Sequence, residues 1–116
     1  INLLLLGQIE LRDKIKKVPA LEQRLAVRQH LNPLNAIDSG EMILHRLRVA
    51  GFSGHQSPFA PDAIFEMHKY TKGAPRLISQ IADNAMMMAF ARKQPSIDGY
   101  LVHEIVGEYG GLEEAA

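Results

Sequence analysis

The sequence predicts a mainly α-helical protein. A helical bundle over residues 34–110 follows a short strand, helix and strand over residues 1–33, and that first segment is typical of the end of an α/β domain. Three observations favour this prediction. Apolar residues recur at helical spacing from residue 36 onward, Leu3 to Leu6 form an uninterrupted apolar run, and proline or glycine stands at most expected helix boundaries. Residues 111–116 are expected to form a flexible tail.

Composition sets limits on the class of protein. The chain has 116 residues, of which 47% are hydrophobic, and this is enough for one buried core. Its net charge is zero, so no overall basic field attracts nucleic acid or anionic lipid. It contains no cysteine, which excludes disulfides and thiolate metal sites. The five histidines do not show a metal-ligand spacing, and we expect no metal site.

The first segment is predicted to begin with a strand. The run at residues 3–6 is short, apolar and ended by Gly7, as in a strand that is covered on both faces of a parallel sheet. A strand without neighbours is not stable, so we expect it to be frayed, paired with another chain or packed on helices. The chain opens on this segment without an initiator methionine, and we therefore expect it to be a piece of a longer protein.

The rest of the first segment is predicted to contain two helical pieces and a second strand. Residues 9–18 have the pattern of a short amphipathic helix, which Pro19 ends. Residues 21–25 form another helical turn. The alternation of apolar and polar residues over 26–31 predicts a strand with one exposed face, before a turn at residues 32–35.

Capping residues predict the first helix of the bundle. Asn35 is a suitable N-cap, Asp38 lies three residues later, and Gly51 ends the pattern. Gly40 lies inside this helix and costs about 1 kcal/mol relative to alanine, so the first turn is expected to be the weakest part.

Three further helices follow. Pro61 begins the second, and Gly73 ends it. Pro75 begins the third, which extends to about Lys93. Apolar residues on several of its faces, including Met86, Met87 and Phe90, predict that it is buried on most sides, with the methionines filling gaps in the core. Ser96 or Asp98 caps the last helix, whose apolar residues are Leu101, Val102, Ile105, Val106 and Tyr109.

The corner between the second and third helices carries a notable charge. Arg76 lies in the first turn of the third helix, where the helix dipole disfavours a cation. An arginine at this position points to an anionic ligand. The alternative is that Arg76 is an ordinary solvated surface side chain.

Five sequence blocks carry a family resemblance. They are Leu-Leu-Leu-Gly-Gln-Ile-Glu-Leu (4–11), Gln-Arg-Leu-Ala-Val-Arg-Gln-His-Leu (23–31), His-Arg-Leu-Arg-Val-Ala-Gly (45–51), Phe-Ala-Pro-Asp-Ala-Ile (59–64) and Gly-Ala-Pro-Arg-Leu-Ile (73–78). In this order they resemble the second half of an AAA+ ATPase of the ExeA-like, general secretion pathway A type. The resemblance implies a remnant of the α/β nucleotide-binding domain over residues 1–33 and the α-helical lid over residues 34–110.

The resemblance also implies roles for individual residues. Gln8 matches the sensor 1 position, which orients the attacking water or detects the γ-phosphate. Arg24 matches an arginine finger that points at the nucleotide of a neighbouring subunit, although Arg28 is a competing candidate. Arg76 matches the sensor 2 arginine of the lid, and with Pro75 it would lie against the nucleotide. Two positions depart from the family pattern, Ile9 in place of a proline and Gly40 in the first lid helix.

By the same resemblance, the longer protein would use ATP and Mg²⁺. This chain has neither the Gly-x-x-x-x-Gly-Lys-Ser/Thr loop nor an apolar strand ending in Asp-Glu, and both are expected to precede Ile1. We therefore expect that the chain alone neither hydrolyses ATP nor binds it tightly. The implied partners are other subunits of the same oligomeric ATPase and components of a secretion or pilus-type envelope machine. The implied location is the cytoplasmic face of the bacterial inner membrane, with membrane attachment only through missing parts.

Two alternatives belong to other functional classes. The helical part is also compatible with a protein-interaction module that has no nucleotide role. The helices around Gly73 could instead form a DNA-binding helix-turn-helix with Arg76 at the start of the recognition helix. The second of those helices is mainly Ile, Ala and Met, so it offers few groups to bases or phosphates.

Overall fold

The computed structural model describes the backbone of residues 2–115 and the side chains of residues 2–110. Its contacts divide the chain into two compact units, with the boundary between Leu31 and Asn32. The described backbone contains six helices: α1 (Glu10–Lys16), α2 (Pro19–Arg24), α3 (Ala36–Val49), α4 (Pro61–Thr71), α5 (Pro75–Ala91) and α6 (Gly99–Ala115). The mainly helical class is therefore confirmed. Within residues 2–115, every helix is too short or too polar to cross a lipid bilayer.

The first unit contains α1 and α2, which contact each other and confirm the two predicted helical pieces. The two predicted strands are not formed in the described residues: residues 2–8 and 25–31 have no regular structure, which for the first run is the frayed state expected of a strand without neighbours. Leu4 and Leu6 are 79% and 84% exposed. A strand requires a hydrogen-bonded neighbour, and these segments have none here, so the α/β remnant is not shown. Ile1 lies outside the described residues.

The second unit, from Asn32 onward, contains α3 to α6, and we call it the helical unit. Its first helix begins at the predicted cap. The Asn35 side-chain oxygen accepts a hydrogen bond from the Asp38 backbone N–H at 2.7 Å. The Asn35 carbonyl accepts hydrogen bonds from the backbone N–H and the hydroxyl of Ser39, at 2.9 and 2.7 Å. These bonds satisfy groups that would otherwise be unpaired at the start of α3.

Replacing Asn35 by alanine removes this cap. We expect the free energy of unfolding of the helical unit to fall by about 1 kcal/mol, measured by urea denaturation. Asn35→Asp is the matched control, because an aspartate oxygen can accept the same hydrogen bond. Equal losses in the two variants would contradict a capping role.

Gly40 has a packing reason inside α3. A Cβ atom at this position would lie 3.3 Å from Ile64 Cγ2, which is tighter than ordinary van der Waals contact. The glycine therefore allows α3 and α4 to approach closely, and this packing offsets its low helix propensity. The helix is continuous through Gly40, although the sequence predicted that this turn would be weak.

Helices α4 and α6 start side by side. The segments that precede them form a parallel β-bridge between Phe59 and Ile97. The Ile97 carbonyl accepts a bond from the Ala60 N–H, and the Ile97 N–H donates to the Pro58 carbonyl, both at 2.8 Å. One turn into each helix, His103 Nδ1 lies 3.5 Å from Glu66 Oε2. The two helices are therefore parallel and in register. The Asp98 cap of α6 is confirmed, since its side chain accepts from the Leu101 N–H at 2.9 Å.

The core of this unit lies between α3, α4, α5 and α6. Its centre consists of side chains from all four helices and from the bridge, each at most 5% exposed: Ile43, Phe59, Ala63, Met67, Ile78, Ile81, Ala82, Ala85, Ala89, Ile97, Leu101, Val102 and Ile105. Most are apolar positions at helical spacing, as the sequence predicted.

The prediction that α5 is buried on most sides is wrong. Met87 is 71% exposed and Phe90 is 86% exposed. The helices that contact α5 cover its Ile78, Ile81 and Ala85 side, and nothing in the described part of the chain covers the opposite side. Met86 and Met88 are half-buried and pack against the core, so the gap-filling prediction is correct for these two. The predicted flexible tail covers residues 111–116. The described backbone of α6 continues through residue 115, the side chains of residues 111–116 lie outside those described, and the flexibility of this part stays a prediction.

Candidate functional site

The corner between α4 and α5 turns through two residues with positive φ. Lys72 ends α4 with φ at 55°, and Gly73 follows with φ at 86°. The Lys72 N–H donates to the His68 carbonyl at 2.8 Å, and the Gly73 N–H donates to the buried Thr71 hydroxyl at 3.3 Å. Pro75 then begins α5, where its missing N–H costs nothing. The predicted corner is therefore confirmed in position and in its use of glycine and proline.

The backbone of Leu34 is held against this corner through both its N–H and its carbonyl group. Its N–H donates to the Gly73 carbonyl at 2.9 Å. Its carbonyl lies 3.0 Å from His68 Nε2, and because a carbonyl can only accept, Nε2 must carry the proton. A Cβ atom on Gly73 would overlap the Leu34 carbonyl oxygen. We call this arrangement of Leu34, His68 and Gly73 the Leu34 clamp.

Arg76 is the second residue of α5, and its side chain is exposed. Within residues 2–110 it has no hydrogen-bond or ion-pair partner, and the first turn of α5 contains no acidic residue. The helix dipole adds positive potential at the same place. A planar guanidinium with five free donors at a helix N-terminus can bind two oxygens of an anion such as a phosphate.

A second arginine braces the first turn of α5. Arg46 Nη1, on α3, donates to the Ser79 hydroxyl at 2.6 Å, and that hydroxyl donates to the Pro75 carbonyl at 3.0 Å. Helix α3 is thereby joined to the turn that carries Arg76. Between α3 and α5 lies a cleft of about 250 Å³, lined mainly by apolar side chains together with Arg46, Ser79 and Asp83.

Gln8 and Arg24 lie in the first unit. The Gln8 carbonyl accepts the Leu11 N–H at 3.0 Å, at the turn into α1, and its side chain is exposed. Arg24 is the last residue of α2, exposed and without a partner among the described side chains. Arg28, the competing candidate, instead donates from Nη2 to the Glu22 carbonyl at 2.8 Å. Pro75 and Arg76 therefore lie together at the start of α5. Of the two arginine-finger candidates, Arg28 has a hydrogen-bond partner, and Arg24 has none among the described side chains.

Other charged groups have structural roles. Arg92 Nη1 donates to Glu104 Oε2 at 2.7 Å and joins the end of α5 to α6. This hydrogen bond, with the charge of Arg92, lowers the pKa of Glu104 from its ordinary value. Both groups are exposed, so the pair contributes little stability. Residues 2–110 contain no group of three or more metal-binding side chains.

Sequence reasoning missed the Leu34 clamp. His68 has the pattern of a polar residue on a helix face, and Leu34 that of a turn residue. The two are joined across 34 positions of sequence, and no local pattern indicates such a contact.

Comparison with known proteins shows a sequence similarity that extends over most of this chain. General secretion pathway protein A of Aeromonas hydrophila is 38% identical over 94 residues, which cover 79% of this chain and 17% of that protein. This chain is similar to general secretion pathway protein A. The match spans about one sixth of that longer protein. Neither a protein-family model nor a solved structure matches the chain.

Proposed function

We propose that this chain supplies the nucleotide-sensing and lid part of an AAA+ ATPase of the general secretion pathway A type. The observation that carries the proposal is Arg76, an exposed arginine in the first turn of α5 that has no partner among the side chains of residues 2–110. Two findings support it further: the similarity to general secretion pathway protein A and the helical architecture expected of a lid.

In this proposal the bundle is a lid that closes over a nucleotide bound by an upstream half. Arg76 would contact the terminal phosphate, because its planar set of donors matches phosphate oxygens. Pro75 would lie beside the nucleotide at the same corner. ATP and Mg²⁺ would be held mainly by the upstream half, where the phosphate-binding loop is expected.

Residues 1–33 would complete the α/β domain in the longer protein. The run at residues 3–6 would pair with upstream strands, and that pairing would cover the leucines that are exposed here. Gln8, at the end of this run, would sense the γ-phosphate. Arg24 would reach the nucleotide of a neighbouring subunit, and no described residue of its own unit competes for its side chain.

The biological role follows from the same relationship. We propose that the longer protein couples ATP hydrolysis to the assembly of a secretion or pilus-type envelope machine. Its partners would be further copies of itself and components of that machine. It would act at the cytoplasmic face of the inner membrane, and this chain would not itself enter the bilayer.

Replacing Arg76 by alanine tests the proposal in the longer protein that includes the upstream half. We expect the rate of ATP turnover to fall roughly 10- to 1000-fold with little change in thermal unfolding, because an exposed side chain is removed that acts mainly in the transition state. Arg76→Lys should retain only part of the activity, since an ammonium lacks the planar set of donors. Steady-state ATP hydrolysis gives the rates.

Arg48→Ala is the matched control. Arg48 is also exposed, also lacks a partner among the described side chains, and lies in the last turn of α3. Turnover that is unchanged in Arg76→Ala, or lowered equally in both variants, would contradict the sensor role.

Unchanged turnover would favour the alternative of a protein-interaction module. The observation behind that alternative is the exposure of Met87 and Phe90 on one face of α5. These two apolar side chains are candidates for contacts with another protein, and they do not depend on a nucleotide.

A further inference from the structure

The segment that leads into the helical unit, which we call the entering segment, has no regular structure. Residues 25–35 form neither helix nor strand, and the division between the two units falls inside this segment, after Leu31. Within residues 32–35, Leu34 alone has both backbone groups bonded to another part of the unit. Its side chain is half-buried and packs against the core. The Asn35 cap fixes the end of this segment to α3, and Leu34 fixes the segment to the corner between α4 and α5.

The fixed point is also next to Arg76. The Leu34 N–H bonds to Gly73, three residues before Arg76, and the His68 imidazole bonds to the Leu34 carbonyl from the last turn of α4. The Gly73 backbone packs directly against that carbonyl, and a side chain would not fit between them. A displacement of Leu34 toward the corner must therefore move Gly73, and a displacement away from it must break the bonds to Gly73 and His68.

We propose that His68 is a positioning residue that locks the entering segment onto the corner, so that movement of this segment is passed to Arg76. The bond from the Leu34 N–H to the Gly73 carbonyl fixes one backbone group of this residue. The Leu34 carbonyl packs against Gly73 and bonds to His68, so loss of the imidazole removes the hydrogen bond that holds this carbonyl at the corner. The consequence for Arg76 rests on the sensor role proposed above, whereas the clamp itself does not.

Because the chain contains no cysteine, spin labels can be attached at two chosen positions. Asn32→Cys and Gln80→Cys place them on the entering segment and on α5, both at exposed sites within the helical unit. We expect a narrow distribution of distances between the labels in the otherwise unchanged chain. His68→Ala should broaden it clearly. His68→Gln should restore it, because a glutamine amide nitrogen can donate from a similar position.

His103→Ala is the matched control. His103 is a second histidine on a helix face of the same unit, and it makes a side-chain contact with Glu66 and none with Leu34. It should leave the distribution unchanged. A lower thermal midpoint in His68→Ala with an unchanged distribution would show a purely structural role and overturn the proposal.

A measurement on the unsubstituted chain covers the case in which His68→Ala fails to fold. Amide hydrogen exchange should show the Leu34 N–H protected to the same degree as amides in the interior of α4. A Leu34 amide that exchanges at the rate of an unstructured peptide would also overturn the proposal.

The link to nucleotide sensing is tested separately in the longer protein. His68→Ala should lower ATP turnover roughly 2- to 30-fold, less than Arg76→Ala, and His68→Gln should restore it. If Arg76→Ala leaves turnover unchanged, the sensor role fails while the spin-label and exchange results still decide the clamp. If Arg76→Ala lowers turnover and His68→Ala does not, the coupling through His68 fails alone.

Discussion

Replacing Gly73 by alanine is expected to destabilise the helical unit by about 2–3 kcal/mol. The left-handed conformation at Gly73 costs about 1–2 kcal/mol with a side chain. The new methyl group would also collide with the Leu34 carbonyl oxygen. Relieving that collision breaks the hydrogen bond from Leu34 to Gly73, a loss of about 1 kcal/mol. Chemical denaturation followed by circular dichroism measures the loss.

Gly51→Ala separates the two causes. Gly51 also has positive φ, at 107°, but a Cβ atom there meets no atom within 4 Å. The free energy of unfolding of this variant should therefore fall only by the cost of the left-handed conformation, about 1–2 kcal/mol. Equal losses at Gly73 and Gly51 would mean that the Leu34 peptide moves away without cost, and the clamp would then have no energetic basis.

Replacing Ile78 by alanine is expected to destabilise the unit by about 2–5 kcal/mol. Ile78 is fully buried in α5 and packs in the core, so its truncation leaves a cavity that neighbouring side chains fill only in part. For a domain of this size the thermal midpoint should fall by roughly 10 °C or more. Differential scanning calorimetry measures the shift.

Leu77→Ala is the control for this variant, because it removes an aliphatic side chain from the neighbouring position of the same helix. Leu77 is partly exposed, and its truncation should cost about 1 kcal/mol or less. A midpoint in Ile78→Ala as high as that in Leu77→Ala would show that the observed core packing does not govern stability.

The helices were predictable because their signals are local. Asn35 caps α3 through a bond to a residue three positions away, and Pro61 and Pro75 begin helices through their own backbone geometry. Such features act within one turn, so the sequence around them contains all that is needed. Arg76 could be placed in a first turn for the same reason.

Features that depend on distant partners were not predictable. The run at residues 3–6 has the composition of a buried strand, but the structure gives it no neighbour to pair with. Met87 and Phe90 are apolar and yet exposed, because the arrangement of the other helices decides which face of α5 is covered. The clamp joins Leu34 to His68 and Gly73, and sequence pattern does not report contacts at that separation.

The parallel bridge between Phe59 and Ile97 has a consequence for how α4 and α6 can move relative to each other. It anchors α4 and α6 at a common origin, so neither helix can slide lengthwise along the other. Helix α4 then extends for 11 residues, about 16 Å, from this anchor to the turn before Arg76. A tilt of α4 by a few degrees about the bridge, with the helix moving as a rigid rod, would therefore move the turn before Arg76 by about an ångström.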